Sequence, residues 1–191
     1  QTDKSPEAIC LYLATLQVGG VYLPLNTAYT GAEIDYFLGD AAPRLFVCTP
    51  ASLAEHKARE TDGLRVESLG ARGDGSLRTL ADAATPRSDR VARSMSDPAA
   101  ILYTSGTTGK PKGAMLTNRN LVSNGEVLVD FWRFTPEDRL IHALPIFHVH
   151  GLFIAVHCAL LSGATLIFQA RFDSAAVIAA MTGGRATVLM G

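Results

Sequence analysis

The segment Ala99 to Gly113, A-A-I-L-Y-T-S-G-T-T-G-K-P-K-G, constrains this chain more than any other. Its first five residues are apolar or aromatic and bounded by turn formers, the pattern of a short buried strand. The remainder cannot be regular structure. Gly106, Gly109 and Gly113 permit positive φ and close approach of a ligand to the main chain. Thr104, Ser105, Thr107 and Thr108 bring four hydroxyls, Lys110 and Lys112 bring two cations, and Pro111 stiffens the chain between them. Oriented N–H groups, small residues and lysines in one loop suit a polyphosphate. The loop is not a Walker A motif, because Gly106 and Gly109 are too close together and Pro111 stands where Ser or Thr is needed. A flexible Gly/Ser/Thr linker would not need a strand before it and two lysines at its exit.

Either side of this loop, helical patterns alternate with short apolar runs, which points to parallel α/β layering. Ser5-Pro6-Glu7 caps and opens a helix that Gly19-Gly20 stops near Val18. Val21 to Leu25 reads as a strand. Thr30 caps a second helix through Glu33, Tyr36 and Phe37, and Leu45 to Cys48 is a strand. Residues 51–60 read as one polar helix, 66–69 as a strand and 76–84 as a helix. Residues 85–98 are polar, with two prolines and several arginines, and read as a linker. The chain thus divides into an α/β portion at 1–84, a linker at 85–98 and a phosphate-loop portion at 99–191.

Beyond the loop, Ala114 to Leu116 continues as strand. Thr117 or Asn118 caps a helix to about Trp132, with Leu121, Leu128 and Phe131-Trp132 as its apolar face. A strand over 139–144 leads to L-P-I-F-H-V-H-G, residues 144–151. A helix over 152–161, a strand over 164–169, a Ser174-capped helix to Met181 and a strand from Thr187 complete the chain. The apolar stretch 152–168 is interrupted and too short for a membrane span.

The net charge of −1 gives no reason to expect a nucleic acid or a membrane surface as partner. Cys10, Cys48 and Cys158 lack metal or redox spacing and argue for a reducing, cytoplasmic setting, each as a small core residue. No targeting signal is visible in Q-T-D-K-S-P-E. His148 and His150 sit where a strand ends, the edge at which open α/β sheets bind ligands. No third ligand accompanies them, so a metal pair is set aside in favour of a hydrogen-bonded pair or a pocket residue.

Y-T-S-G-T-T-G-K-P-K-G resembles, at every position, the phosphate-binding signature of the adenylate-forming enzymes: acyl-CoA synthetases, luciferases and peptide-synthetase adenylation domains. P-x-F-H-x-x-G is similar to their second signature. Together with G-G-V-Y-L-P-L-N-T-A-Y-T and F-W-R-F-T-P-E-D, the chain looks like the malonyl-CoA synthetase branch. The resemblance implies part of a large N-terminal domain built of mostly parallel sheets flanked by helices. It implies that Thr104, Ser105, Gly106, Thr107, Thr108, Gly109, Lys110, Pro111 and Lys112 wrap the β- and γ-phosphates of ATP, with Thr107 near Mg²⁺. Lys112, Thr107 and His148 would be catalytic. His148 would border the acyl and adenylate pocket, with Met190 and Gly191 where its next strand begins; no role carries over to His150. Coenzyme A would be the co-substrate and malonate the acid, with a fatty or aromatic acid or a non-catalytic nucleotide-binding module as alternatives. The family's acidic Mg²⁺ and adenine motif, ribose-binding Asp, malonate-pairing Arg and C-terminal catalytic Lys have no counterpart in these residues, the pattern of a fragment.

Overall fold

The computed structural model describes residues 1–104 and 111–191, arranged in two compact units. One comprises residues 1–11 and 25–88, the other 12–24 and 89–191.

Helix α1, Pro6–Gln17, opens on the predicted cap, since Ala8 N donates to Ser5 Oγ at 3.1 Å, and Gly19 ends it at φ 74°. In the first unit, Thr30 and Glu33 form a reciprocal capping box at the start of α2, Gly31–Ala41. Strand β1, Leu45–Cys48, pairs in parallel with β2, Arg65–Ser68. The single helix expected over 51–60 is instead a 3₁₀ turn, Pro50–Ser52, and a short α3, Leu53–Lys57. Thr49 accepts from Ser52 N and caps the tighter turn, so the α-helix starts late. Helix α4, Ser76–Ala83, lies where expected. Cys48 is buried, but Cys10 is exposed, because α1 buries Ala8 and Ile9 and turns Cys10 outward.

The second unit contains both candidate motifs, at 99–113 and 144–151. The strand expected over 21–25 shrinks to one bridge, Tyr22 to Ala100, since Pro24 has no N–H to extend a ladder. Strand β3, Pro98–Thr104, pairs antiparallel with β4, Lys112–Thr117, an exception to the parallel layering. Thr117 then caps α5, Asn118–Trp132, in a second capping box, with Asn120 as its reciprocal partner. Leu121 and Gly125 are buried and Leu128 packs against the core, but Phe131 is 77% exposed. Phe131 lies roughly 80° round the helix from Leu121 at 3.6 residues per turn, which takes it off the buried stripe. Trp132, on the stripe but at the helix end, is 44% exposed.

A three-stranded parallel sheet completes this unit, in the order β6-β5-β7: β5 is Arg139–His142, β6 is Thr165–Phe168 and β7 is Val188–Leu189. Between β5 and β6 runs a π-helical turn, His150–Val156, continuing into α6, His157–Ser162. The helix expected from Leu152 thus begins earlier and in a wider register. Between β6 and β7 runs α7, Ser174–Thr182, whose N-cap is Asp173 rather than Ser174; Asp173 Oδ1 accepts from Ala176 N at 2.9 Å. The central strand is covered on both faces, as parallel sheets require. Leu140 packs with Phe134, Ala155 and Cys158, whereas Ile141 packs with Val177, Ala180 and Ala186. Among the described residues no helix is long and apolar enough to cross a membrane.

Two substitutions separate the contributions of cap and core. Thr117→Ala should lower unfolding stability by about 1 kcal/mol, and Leu140→Ala by about 3 kcal/mol. Urea titrations of the complete protein check both, and equal effects would contradict the burial assigned to Leu140.

Candidate functional site at the phosphate-loop hairpin and the histidine turn

The glycine-rich segment is the connection of a β-hairpin. Thr104 and Lys112 are partners across the β3–β4 ladder, and Tyr103 faces Gly113. A hydroxyl and an ammonium therefore enter and leave the segment at one end of a paired ladder, both exposed to solvent. Pro111 is half-buried beside them. Ser105, Gly106, Thr107, Thr108, Gly109 and Lys110 lie outside the described residues. Gly113 has a packing reason: a Cβ there would come within 3.0 Å of Ile101 Cγ2 and 3.5 Å of the Tyr103 ring.

Helix α5 follows the hairpin directly and packs against β3 and β4 as well as against α6 and the π turn. Its approach to α6 is close at Gly125, where a Cβ would stand 2.6 Å from Leu161 Cδ1. The hairpin and the layer bearing the histidine turn thus share one helix as a spacer.

His148 is exposed on the segment that leaves the carboxyl end of β5. His148 N donates to Pro145 O at 3.4 Å, and Leu152 N donates to His148 O at 3.0 Å. His150 supports its neighbour locally, its backbone N–H lying 3.4 Å from His148 Nδ1. Gly151 is the tightest point of the turn, for a Cβ there would sit 2.1 Å from the Pro145 carbonyl oxygen. The glycine of P-x-F-H-x-x-G is therefore a steric requirement of the loop carrying His148. Met190 follows β7 and packs with the Leu140 cluster; Gly191 is exposed beyond it. Among the described residues no hydrogen bond or ion pair joins His148 to Lys112, and no group of three or more His, Cys, Asp or Glu gathers to hold a metal.

Two histidines near this turn, His142 buried and His157 half-buried, escape any reading of the sequence. His142 closes β5 and reaches the Gly151 carbonyl. His157 opens α6, its Nε2 2.8 Å from the Tyr12 hydroxyl and its ring stacked on Tyr12 at 5.8 Å. Burial lowers the His157 pKa, partly offset by its hydrogen bond to the Leu121 backbone. Burial, with Tyr22 beside it, raises the Tyr12 phenol above its usual range. Neutral His157 is thus an acceptor from Tyr12 and a donor to Leu121. No local pattern links residues 145 apart in the chain. A shallow hollow of about 530 Å³ beside Glu126, Arg133 and Leu161 includes none of these residues.

Comparison with known proteins gives this layout its family. The model of the AMP-binding enzyme family matches residues 1–191, and the chain belongs to that family. MatB from Rhodopseudomonas palustris superposes with a TM-score of 0.95 at 52% identity, over 100% of this chain and 38% of its own. Its ATP-bound structure superposes at 0.92, with 53% identity. An indoleacetate–CoA ligase of Aromatoleum aromaticum is 34% identical over 97% of this chain and 37% of itself. A malonate–CoA ligase of Arabidopsis thaliana is 30% identical over 88% of this chain and 28% of itself. The chain spans about a third of the length of these relatives.

Gly151→Ala should destabilise the protein by about 1–3 kcal/mol through overpacking. Gly39→Ala, on an exposed position of α2 with open space around it, should be neutral or stabilising by up to about 1 kcal/mol. Denaturant midpoints of the two variants test this, and a tolerated Gly151→Ala would remove the steric argument.

The lowered His157 pKa sets a pH dependence. The unfolded imidazole takes up a proton below about 6.5 while the folded one resists it, so stability is full above that pH and is lost as pH falls through it. His56, also lowered chiefly by burial, acts in the same direction. Melting scans at pH 7.5 and 5.5 should show the loss, and His157→Phe should reduce its size without abolishing it.

Proposed function

We propose that the protein carrying this chain is an ATP-dependent acid–CoA ligase of the AMP-forming kind, with malonate as its acid. The observation that carries the reading is the ladder pairing of Thr104 with Lys112. It brings both ends of the hydroxyl–glycine–lysine segment together in a chain that lies wholly within the AMP-binding enzyme family. An ATP-bound relative at 53% identity supports ATP as the nucleotide, and ligases named for coenzyme A support the thiol.

In this reading, an oxygen of the acid carboxylate attacks the α-phosphorus of ATP, and the bond to pyrophosphate breaks. Charge builds on the β- and γ-phosphate oxygens as pyrophosphate leaves. Thr104, Lys112 and the hydroxyls and N–H groups of Ser105, Gly106, Thr107, Thr108, Gly109 and Lys110 meet that charge, with Pro111 holding the exit of the loop. Fixed donors aimed at developing charge supply most of the catalysis in phosphoryl chemistry. His148, exposed at the carboxyl end of β5, borders the pocket of acid and adenylate, and Met190 and Gly191 lie after β7 in the same sheet. The coenzyme A thiol then attacks the acyl carbon and AMP departs. Mg²⁺ belongs to this chemistry by resemblance, with Thr107 the hydroxyl expected beside it; among the described residues no group of three or more His, Cys, Asp or Glu gathers to hold it.

Malonate is favoured by the motif likeness and by the Arabidopsis malonate–CoA ligase; the indoleacetate–CoA ligase keeps a different acid as the second reading. ATP–pyrophosphate exchange by the complete protein decides between them. Exchange with malonate and not with acetate, octanoate or indoleacetate supports the reading. Exchange with another acid alone leaves the ligase and removes malonate, and no exchange with any acid leaves a nucleotide-binding module. Lys112→Ala should slow exchange about a hundredfold, the scale of losing one donor to developing charge, and an unchanged rate would remove Lys112 from the site.

A further inference from the structure

The turn that presents His148 is held by a side chain that belongs to neither motif. We propose that His142 is a positioning residue for His148 and sets how well the acid is bound, an inference that rests on the ligase reading.

His142 ends β5 and is 1% exposed. Its Nε2 lies 2.9 Å from the backbone oxygen of Gly151. A carbonyl oxygen only accepts, so Nε2 carries the proton and donates. The ring cannot swing away, because it stacks on Phe168, its register partner on β6, with centroids 5.3 Å apart and planes 10° from parallel. The strand beneath it is fixed as well, since Gln169 N donates to the His142 carbonyl at 3.1 Å.

Gly151 is therefore gripped from two directions. The His142 ring holds its carbonyl, and the Pro145 carbonyl fills the space where a side chain would be. Gly151 belongs to the π-helical turn, an uncommon local structure that often marks functional sites. Pro145 begins the short loop whose hydrogen bonds define the His148 backbone. Fixing Gly151 against the end of β5 thus closes residues 145–151 into a loop with one geometry, and His148 is its outward point. An apolar residue at position 142 would fill the same volume and remove the side-chain donor from the Gly151 carbonyl. The turn would then lose that tie to the sheet.

The test uses ATP–pyrophosphate exchange by the complete protein. His142→Leu should raise KM for the acid about tenfold and leave KM for ATP within about twofold, the scale of a small displacement of a positioned group. His142→Gln, whose amide can reach the same carbonyl, should bring KM for the acid back to within about threefold of the unsubstituted value. An unchanged KM for the acid in His142→Leu overturns the inference. So does a fall in kcat with both KM values unchanged, which is the mark of lost folded enzyme. If the unsubstituted protein exchanges with no acid, the ligase reading falls first and this inference with it. Should His142→Leu fail to fold, nitrogen-15 spectra of the unsubstituted, histidine-labelled protein remain decisive. A hydrogen-bonded, Nε2-protonated His142 supports the assignment, and an Nδ1-protonated ring overturns it.

Discussion

The second unit depends on the burial of β5 on both faces. Four residues, Arg139 to His142, lie between β6 and β7, and the layers above and below are supplied by the connections to those strands. Burying a Leu or Ile fully is worth about 2 kcal/mol, and Leu140 and Ile141 are both fully buried. The period of two then decides everything at the strand's end. Leu140 points into the cluster with Ala155 and Cys158, Ile141 into the cluster with Val177 and Ala180, and His142 back to the first face. That face carries the π turn, so the histidine meets Gly151 as a consequence of strand geometry.

Glycines set the distances around this core, each for a different reason. Gly151 admits the Pro145 carbonyl, Gly125 admits Leu161 from α6, and Gly113 admits Ile101 and Tyr103 across the hairpin. None of these three has a positive φ, so the missing side chain matters more than backbone freedom. Gly19 and Gly163, by contrast, end α1 and α6 in the left-handed region, at φ 74° and 77°. A motif glycine can thus serve packing at one position and chain reversal at another.

Much of the local structure is legible in the sequence because its causes are local. Ser5, Thr30 and Thr117 cap the helices that begin after them, and the strands expected over 45–48, 139–144 and 164–169 form at Leu45–Cys48, Arg139–His142 and Thr165–Phe168. Sequence and structure part where a role expected of one residue is held by a neighbour or overruled by packing. Phe131 has the composition of core but lies off the stripe, Cys10 faces solvent, and Asp173 caps α7 in place of Ser174. The 3₁₀ turn before α3 has a local cause, the Thr49 cap on Ser52 N, which the polar run 51–60 conceals, whereas the π turn before α6 leaves no mark in the pattern.

Residue types at short spacing are enough to mark the family, since its hydroxyl-, glycine- and lysine-rich segment stands out within a dozen or so neighbours. They are also enough to place a histidine at the strand end where α/β sheets meet ligands. The pairing of β3 with β4, with Thr104 opposite Lys112 at the two ends of the hydroxyl–glycine–lysine segment, exists only in three dimensions. The same is true of the contacts of Tyr12 with His157 and of His142 with Gly151. Such pairings depend on which faces are left to be buried once strands and helices have formed, and no short window of residues contains that information.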